Sequence, residues 1–531
     1  MAIIKDELKD TGAEYYNLKN RRWAVFGAGA FAAATMTLVM LGFLWTGSLA
    51  RTISNLVADK ITTFFPPEII EGVIQAIGAL GKQIMFIGVM IGQIVVGGLL
   101  ALFITNFTPR LYNRFLLWRN IFVVVTAFWL LIMLAGLPLL DAGFVGSSLG
   151  DQQIAVIIST FLLFQIYGVT FGYFFLYLVP LEKPNKTLIT LEDEEEDSSP
   201  PSRRKFVIAM SAFFMVAIAG GVGIGLMRNP SSLRFGEEEI TPVGVFYNIS
   251  KNAFDPKVNG GSWKLEINGL VDKPLTFDYN SVQKLPLKEQ AHTLTCISNT
   301  VGGEYIGNAV WRGTPLKGVL EMAGIKPNAK RVVFTAADGY TDSIELAKAL
   351  DPATLMAWEM NGAPLTDKHG YPLRMLIPDI YGMKNAKWVT AITLTDDANY
   401  EGFWQKQGWD NLAVIKTQSS IISPTDRGQV KRGQPVTVRG IAYAGARGIQ
   451  KVEVSFDNGQ TWQTAQVKEA LSANAWSLWS LDWIPDSTNP SRAILKVRAT
   501  DKTGAMQPPA SVAPYPSGAA GWHTISVNVY G

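Results

Sequence analysis

The sequence holds one cysteine, Cys296, and three histidines, His292, His369 and His523, among 531 residues. A single thiol rules out an internal disulfide. It also rules out an iron–sulfur cluster or an all-cysteine zinc site, since each needs several sulfur ligands. The three histidines all lie in the second half, so a bis-histidine haem cannot form in the apolar first half, and no Cys-x-x-Cys-His run exists to attach haem c. A formal net charge of +3 gives no global sign of a nucleic-acid partner. Taken alone, Cys296 reads as a small buried apolar residue.

Charge is missing in a pattern. Five windows contain no Asp, Glu, Lys or Arg: Trp23–Leu49, Ile84–Thr105, Ile121–Leu140, Ile154–Val179 and Phe206–Met227. Each approaches or exceeds the ~20 residues a helix needs to cross a bilayer. Lipid offers no partner to backbone polar groups, so five transmembrane α-helices are predicted. The run Phe64–Leu80, broken by Pro66, Pro67 and Glu71, reads as an interfacial helix or a loop. Lys5, Lys9, Lys19, Arg21 and Arg22 precede the first window; Arg110, Arg114 and Arg119 follow the second; Lys183, Lys186, Arg203, Arg204 and Lys205 follow the fourth. The positive-inside rule puts the N-terminus in the cytoplasm and, after five crossings, everything beyond Met227 outside. A multi-pass protein of a bacterial cell membrane is expected.

The first half divides into a four-helix transmembrane domain (residues 1–182), an acidic Ser/Pro-rich cytoplasmic linker (183–205) and a fifth span (206–227). At the end of the linker, Ser202-Arg203-Arg204-Lys205-Phe206-Val207 resembles the twin-arginine export signal, a receptor-read address for proteins that cross already folded, commonly around a cofactor. Small residues in "GAGAFAAAT" predict close helix packing. Met36, Met40, Met85 and Met90 read as lipid or packing residues rather than haem ligands. No ionisable residue interrupts the windows to mark an ion path, so this half reads as an anchor or docking platform among membrane lipid.

Residues 241–418 show short β-rich runs ("SWKLEINGLVDKPLTFDY", "RVVFTAADGYTDSIEL", "WVTAITLTD") with helical stretches such as "TPLKGVLEMAGI" between them, which predicts an α+β domain. Across residues 419–531 the helical pattern stops. Alternating strands around the Asp457-Asn458-Gly459 turn, with Trp476, Trp479 and Trp483, predict an Ig-like β-sandwich.

The stretches "LTCISNTVGG", "AWEMNGAPLTDKHGYPLRMLIPDIYGMKNAKWV" and "FWQKQGW", followed by the sandwich, resemble the sulfite oxidase family of molybdopterin-dependent oxidoreductases over nearly all of residues 241–531. The resemblance implies a molybdenum–molybdopterin cofactor with Cys296 as the protein ligand to the metal, apt for a soft thiolate. It implies that Tyr247, Asn248, His369, Arg374, Asn385, Ala386 and Lys387 hold the pterin and its phosphate, for which a guanidinium fork and an ammonium are suited. Asn385 and Ala386 would act through backbone groups. Tyr340 corresponds to a tyrosine on the substrate face, where its phenol donates a hydrogen bond or relays a proton. A small-molecule substrate and a separate electron-transfer partner, a cytochrome or membrane redox protein, are implied, as is dimerisation through the C-terminal unit.

The sequence departs from sulfite oxidases at their arginines. The expected Cys-x-x-Asn-Arg-Arg continues here as Asn299-Thr300-Val301, and Trp-His-Arg becomes Trp522-His523-Thr524. Losing charge-assisted bonds makes a sulfur oxyanion only one possible substrate beside a neutral one such as a sulfoxide, with Arg312 and Lys384 as candidate replacement cations. A non-catalytic adhesion or assembly protein that has lost its cofactor is the rival from another class.

Overall fold

The computed structural model describes residues 15–16, 22–45, 52–62, 80–106, 114–140, 142–147, 153–179, 181–182, 238–252, 255–487 and 489–531. The twin-arginine motif, the acidic linker and the expected fifth span lie outside them. So does all but the last residue of the Phe64–Leu80 run.

Four described helices are long and apolar enough to span a membrane. These are α1 (Arg22–Trp45), α3 (Leu80–Thr105), α4 (Arg114–Leu131) with its continuation to Leu139, and α5 (Gln153–Leu178); a shorter helix, α2 (Ile53–Thr62), lies between the first two in sequence. The protein is therefore a multi-pass membrane protein. The helices outrun the charge-free windows, since α3 takes in Lys82 and α4 begins at Arg114 and includes Arg119. Such windows report the hydrocarbon-buried part of a helix.

The bundle is held by close approach. A Cβ added at Gly29 would overlap Ala101 Cβ, and one added at Gly97 would overlap Ala33 Cβ, so α1 and α3 meet through small residues four apart on each helix. Tyr167 of α5 ties into this contact by donating to the Gly97 carbonyl (2.6 Å). In α4 a π-helical turn, Ile132–Gly136, precedes Pro138. Proline lacks an N–H and its ring displaces the carbonyl four residues back, which accounts for the irregular ladder there.

The soluble half begins with two five-stranded sheets. One orders β2 (Leu275–Asp278), β1 (Lys264–Gly269), β10 (Val389–Thr395), β5 (Arg331–Ala336) and β6 (Thr341–Glu345), with β10 parallel to β1 and the other pairs antiparallel. The other orders β8 (Ala363–Pro364), β7 (Leu355–Met360), β4 (Ile306–Pro315) and β3 (Lys288–Thr295), with β9 (Arg374–Leu376) also on β7. Helix α6 (Leu316–Ala323) buries Leu316, Val319, Leu320 and Ala323, the i, i+3, i+4, i+7 stripe of an amphipathic helix. This central unit is α+β.

The C-terminal unit is β-rich. Strands β11 (Gln418–Ser423), β13 (Val436–Tyr443), β17 (Ser477–Trp483) and β16 (Gln466–Val467) form one sheet. Strands β12 (Gln429–Lys431), β19 (His523–Tyr530), β18 (Arg492–Asp501), β14 (Ile449–Ser455) and β15 (Gln463–Thr464) form another. Val438 and Trp479 of the first share a core with Val452, Val497 and Val527 of the second. Tyr443 reaches into the central unit, its hydroxyl donating to the Thr293 carbonyl (3.1 Å).

Candidate cofactor site

The chain reverses direction several times around one cleft. Cys296 directly follows β3, Tyr340 leads into β6, Arg374 opens β9, and Asn385, Ala386 and Lys387 lie in the connection from β9 to β10. Tyr247 and Asn248 approach from the segment before β1. All nine residues that the sequence nominates border this cleft.

Cys296 sits in a turn whose carbonyl accepts from Asn299 N–H (3.1 Å), and its sulfur lies 3.0 Å from Ser298 Oγ. The thiol is mostly buried yet faces the cleft. Arg374 is 5 % exposed, and no carboxylate lies within ion-pair distance of it among the described residues. Its Nη1 donates to the His369 carbonyl (3.2 Å), its guanidinium lies over the Trp311 ring (4.9 Å), and its Nε has no partner. Burial lowers its pKa to about 10, so the group stays cationic at neutral pH. A buried cation with a spare donor is costly unless an anion arrives to meet it.

The surrounding residues shape that anion site. His369 Nε2 faces the Val243 carbonyl at 3.1 Å, which requires the proton on Nε2 and leaves Nδ1 an acceptor. Burial, reinforced by Arg374, lowers the His369 pKa to about 4, so the ring is neutral. Gly370 has φ +104°, and a Cβ there would press on Lys387 and Arg374, so glycine lets these two basic residues approach. Lys387 Nζ donates to Asn248 Oδ1 (2.7 Å) and the Lys368 carbonyl (3.0 Å) and lies 3.9 Å from Asp255. Tyr247 has its hydroxyl against Gly382, where a Cβ would collide with it, and burial pushes its pKa well up.

Tyr340, Asn385 and Ala386 also make contacts within the protein. The Tyr340 phenol faces two acceptors within the protein, Asp342 Oδ2 (2.9 Å) and, at 2.7 Å, the carbonyl of Met383, which itself borders the cleft. Asn385 and Ala386 spend backbone groups within the protein: Asn385 N–H donates to Gly382, and the Ala386 carbonyl accepts from Met375. The Asn385 side chain braces the loop, accepting from Ile377 N–H (2.6 Å) and donating to the Tyr381 carbonyl (3.1 Å).

The replacement cations are placed elsewhere. Arg312 pairs with Glu359 at the surface (3.3 Å). Lys384 is buried against Asp342 (2.8 Å), the Ser343 carbonyl and Asn411. Sequence reasoning missed Lys251, and it quoted Asp338, Asp342, Trp404 and Trp409 only as members of "DGYTDSIEL" and "FWQKQGW", without roles of their own. Only the "DGYTDS" context around Tyr340 pointed to Asp342.

This arrangement defines a class: an enzyme domain that holds an anionic cofactor beside a single thiol. Comparison with known proteins places it within that class. Residues 252–404 match the oxidoreductase molybdopterin binding domain, and residues 410–529 match the Mo-co oxidoreductase dimerisation domain. The mitochondrial sulfite oxidase of Drosophila melanogaster is 31% identical over 292 residues, 46% of this chain and 50% of that one. The sulfite oxidase of Arabidopsis thaliana is 29% identical over 51% of this chain and 82% of its own. Nitrate reductase [NADH] 2 of Phaseolus vulgaris is 29% identical over 46% and 34%. The crystal structure of the sulfane dehydrogenase SoxCD from Paracoccus pantotrophus aligns at 25% identity and a TM-score of 0.48, over 56% of this chain and 82% of that one. The chain spans about half the length of the Drosophila relative. It belongs to the molybdopterin-binding oxidoreductases related to sulfite oxidase and nitrate reductase.

Proposed function

We propose that this chain is a membrane-anchored molybdenum-cofactor oxidoreductase that works at the outer face of a bacterial membrane and exchanges electrons with a separate redox protein. The observation that carries the site assignment is Arg374, a buried guanidinium with a partnerless Nε in the same cleft as the single thiol. In this reading Cys296 ligates the metal, Arg374 and Lys387 take the phosphate, and Tyr247, Asn248 and His369 line the pterin. The bound cofactor supplies two-electron redox chemistry and an exchangeable oxygen. Net oxidation adds one oxygen from water to the substrate and releases two electrons and two protons; reduction runs the other way.

The chain's own residues then manage charge and protons. Burial raises the Tyr340 pKa well above its usual value, so the phenol keeps its proton at neutral pH. Asp342 orients that proton and is itself fixed by Lys384 and by Ser343 N–H (2.7 Å). Protons passing to or from the cleft by this path would travel through Asp342.

A neutral sulfur-containing substrate such as a sulfoxide is favoured over a sulfur oxyanion by charge balance. Three buried or nearly buried lysines around the cleft already face acids: Lys251 with Asp338 (3.7 Å), Lys384 with Asp342 and Lys387 with Asp255. Both departures from the sulfite oxidase arginines lie on one side, since Gly302, two residues after Thr300, abuts the His523 ring beside Thr524. The remaining elements of the reading are the outward orientation set by the N-terminal cations, the twin-arginine signal, an Ig-like identity for residues 419–531 and pairing of two chains through that unit.

The test is metal analysis of the purified full-length protein, followed by titration with methionine sulfoxide and with sulfite while the molybdenum(V) spin signal is recorded. Stoichiometric molybdenum with a response to the sulfoxide supports the reading. Absence of molybdenum after expression in a cofactor-competent host supports the non-catalytic rival.

A further inference from the structure

The membrane bundle contains a cavity of about 140 Å³ that the anchoring role does not require. It is bordered by Met36 and Met40 of α1, Ser54 of α2, Gln93 of α3, Ile132 of α4 and Thr160 of α5. Ser54 Oγ donates to Gln93 Oε1 (2.7 Å), and Gln93 Nε2 donates to Thr37 Oγ1 (3.0 Å), whose own proton goes to the Ala33 carbonyl (2.8 Å). An amide nitrogen carries two donors, and this chain of bonds uses one of them. Polar groups at membrane depth are costly, and they gather around pathways and binding sites. The π-helical turn of α4 begins at Ile132, on the wall of the same cavity, and such turns recur at functional sites.

The lining selects its ligand. Among the described residues it contains no Asp, Glu, Lys, Arg or His, so none of them would neutralise a phospholipid phosphate. A bare acyl chain would have no use for the amide. The volume is close to the ~150 Å³ cavity that accommodates a benzene ring. Phe128 and Phe164, with ring centroids 6.2 Å apart, supply aromatic walls. A flat neutral ring bearing carbonyl acceptors on a lipid-soluble tail meets each of these conditions.

We propose that the bundle binds the head group of a lipid-soluble quinone in this cavity, with a ring carbonyl accepting from Gln93 Nε2. Binding depends only on the bundle; a role for the quinone as the electron partner would rest on the enzymatic reading given above. Trp129, whose indole N–H points to Thr160 Oγ1 (3.4 Å), is a built-in reporter beside the site.

The experiment is decylubiquinone titration of the full-length protein in detergent micelles, read by tryptophan fluorescence, with Trp129→Phe as the control for the reporter. Saturable quenching is expected, lost in Trp129→Phe, with affinity about tenfold weaker in Gln93→Leu. Should Gln93→Leu fail to fold, Gln93→Met keeps the volume and removes the donor, and Ile132→Trp fills the cavity outright. Absence of saturable binding, unchanged affinity in the Gln93 variants, or equal displacement by a diacylglycerol or a phospholipid would overturn the proposal. Molybdenum content is measured on the same samples. Loss of quinone binding with full molybdenum rejects this site alone, and absent molybdenum with intact binding rejects the enzymatic reading alone.

Discussion

The membrane bundle and the soluble cleft both bury polar groups, and they do so by opposite rules. Among the described residues the bundle cavity holds uncharged groups, with a relay of bonds from Ser54 through Gln93 to Thr37. In the cleft full charges are buried, and most are matched: Lys251 and Asp338 are 2 % and 3 % exposed and 3.7 Å apart. Arg374 is the exception. The difference follows from the solvent each unit folds in. Lipid cannot repay a charge, whereas a soluble core tolerates one that is paired or awaits a ligand. Both proposed sites turn on donors left over, the second N–H of the Gln93 amide in one and the Arg374 Nε in the other.

That contrast can be broken at its strongest point first. Arg374→Met should cost the cofactor about 2–5 kcal/mol of binding, the usual cost of losing one side of a buried charged contact. Molybdenum content after extensive dialysis is the measurement, and full retention would remove Arg374 from the site. Lys384→Met alone should destabilise the soluble half by roughly 3–5 kcal/mol, because it strands Asp342. The double variant Lys384→Met, Asp342→Leu should recover most of that loss in a denaturant titration, whereas Arg374 has no such partner to remove.

Acid sharpens the same distinction. Burial lowers the pKa of His292 to about 3 and of His369 and His523 to about 4, below the ordinary value of 6.5. Between pH 6.5 and 4 the unfolded chain binds these three protons and the folded chain resists them. Stability should therefore fall as pH drops through that window, by up to roughly 4 kcal/mol per pH unit, and level off above 6.5. Thermal unfolding followed from pH 7.5 to 4.5 checks the sign. The smallest expected effect is in the bundle, where Gly97→Leu overpacks the contact with Ala33 at a cost of about 1–3 kcal/mol. It should loosen the helices and leave molybdenum content unchanged.

Much of this architecture was legible in the residue order, for reasons that differ by region. Charge-free windows located the four described spans because hydrocarbon forbids charge, yet the helices run past those windows to take in Lys82 and Arg119. The small residues of "GAGAFAAAT" anticipated the tight crossing at Gly29 and Ala33. The nine nominated residues came from the family resemblance, and they border one cleft. Long-range partnership was not legible. Nothing in the order of residues tells that Lys384 is spent on Asp342, that Arg312 turns to Glu359, or that the Tyr340 proton points to Met383 and Asp342. Nor did the spacing of Ser54, Gln93 and Thr160 along three helices announce a shared cavity, since each alone reads as a tolerated polar residue in a helix.

The most direct measurement of the central claim is molybdenum X-ray absorption on the intact protein beside its Cys296→Ser variant. The loss of one sulfur neighbour from the metal in the variant is the expected result. An identical sulfur shell in the two proteins would contradict it.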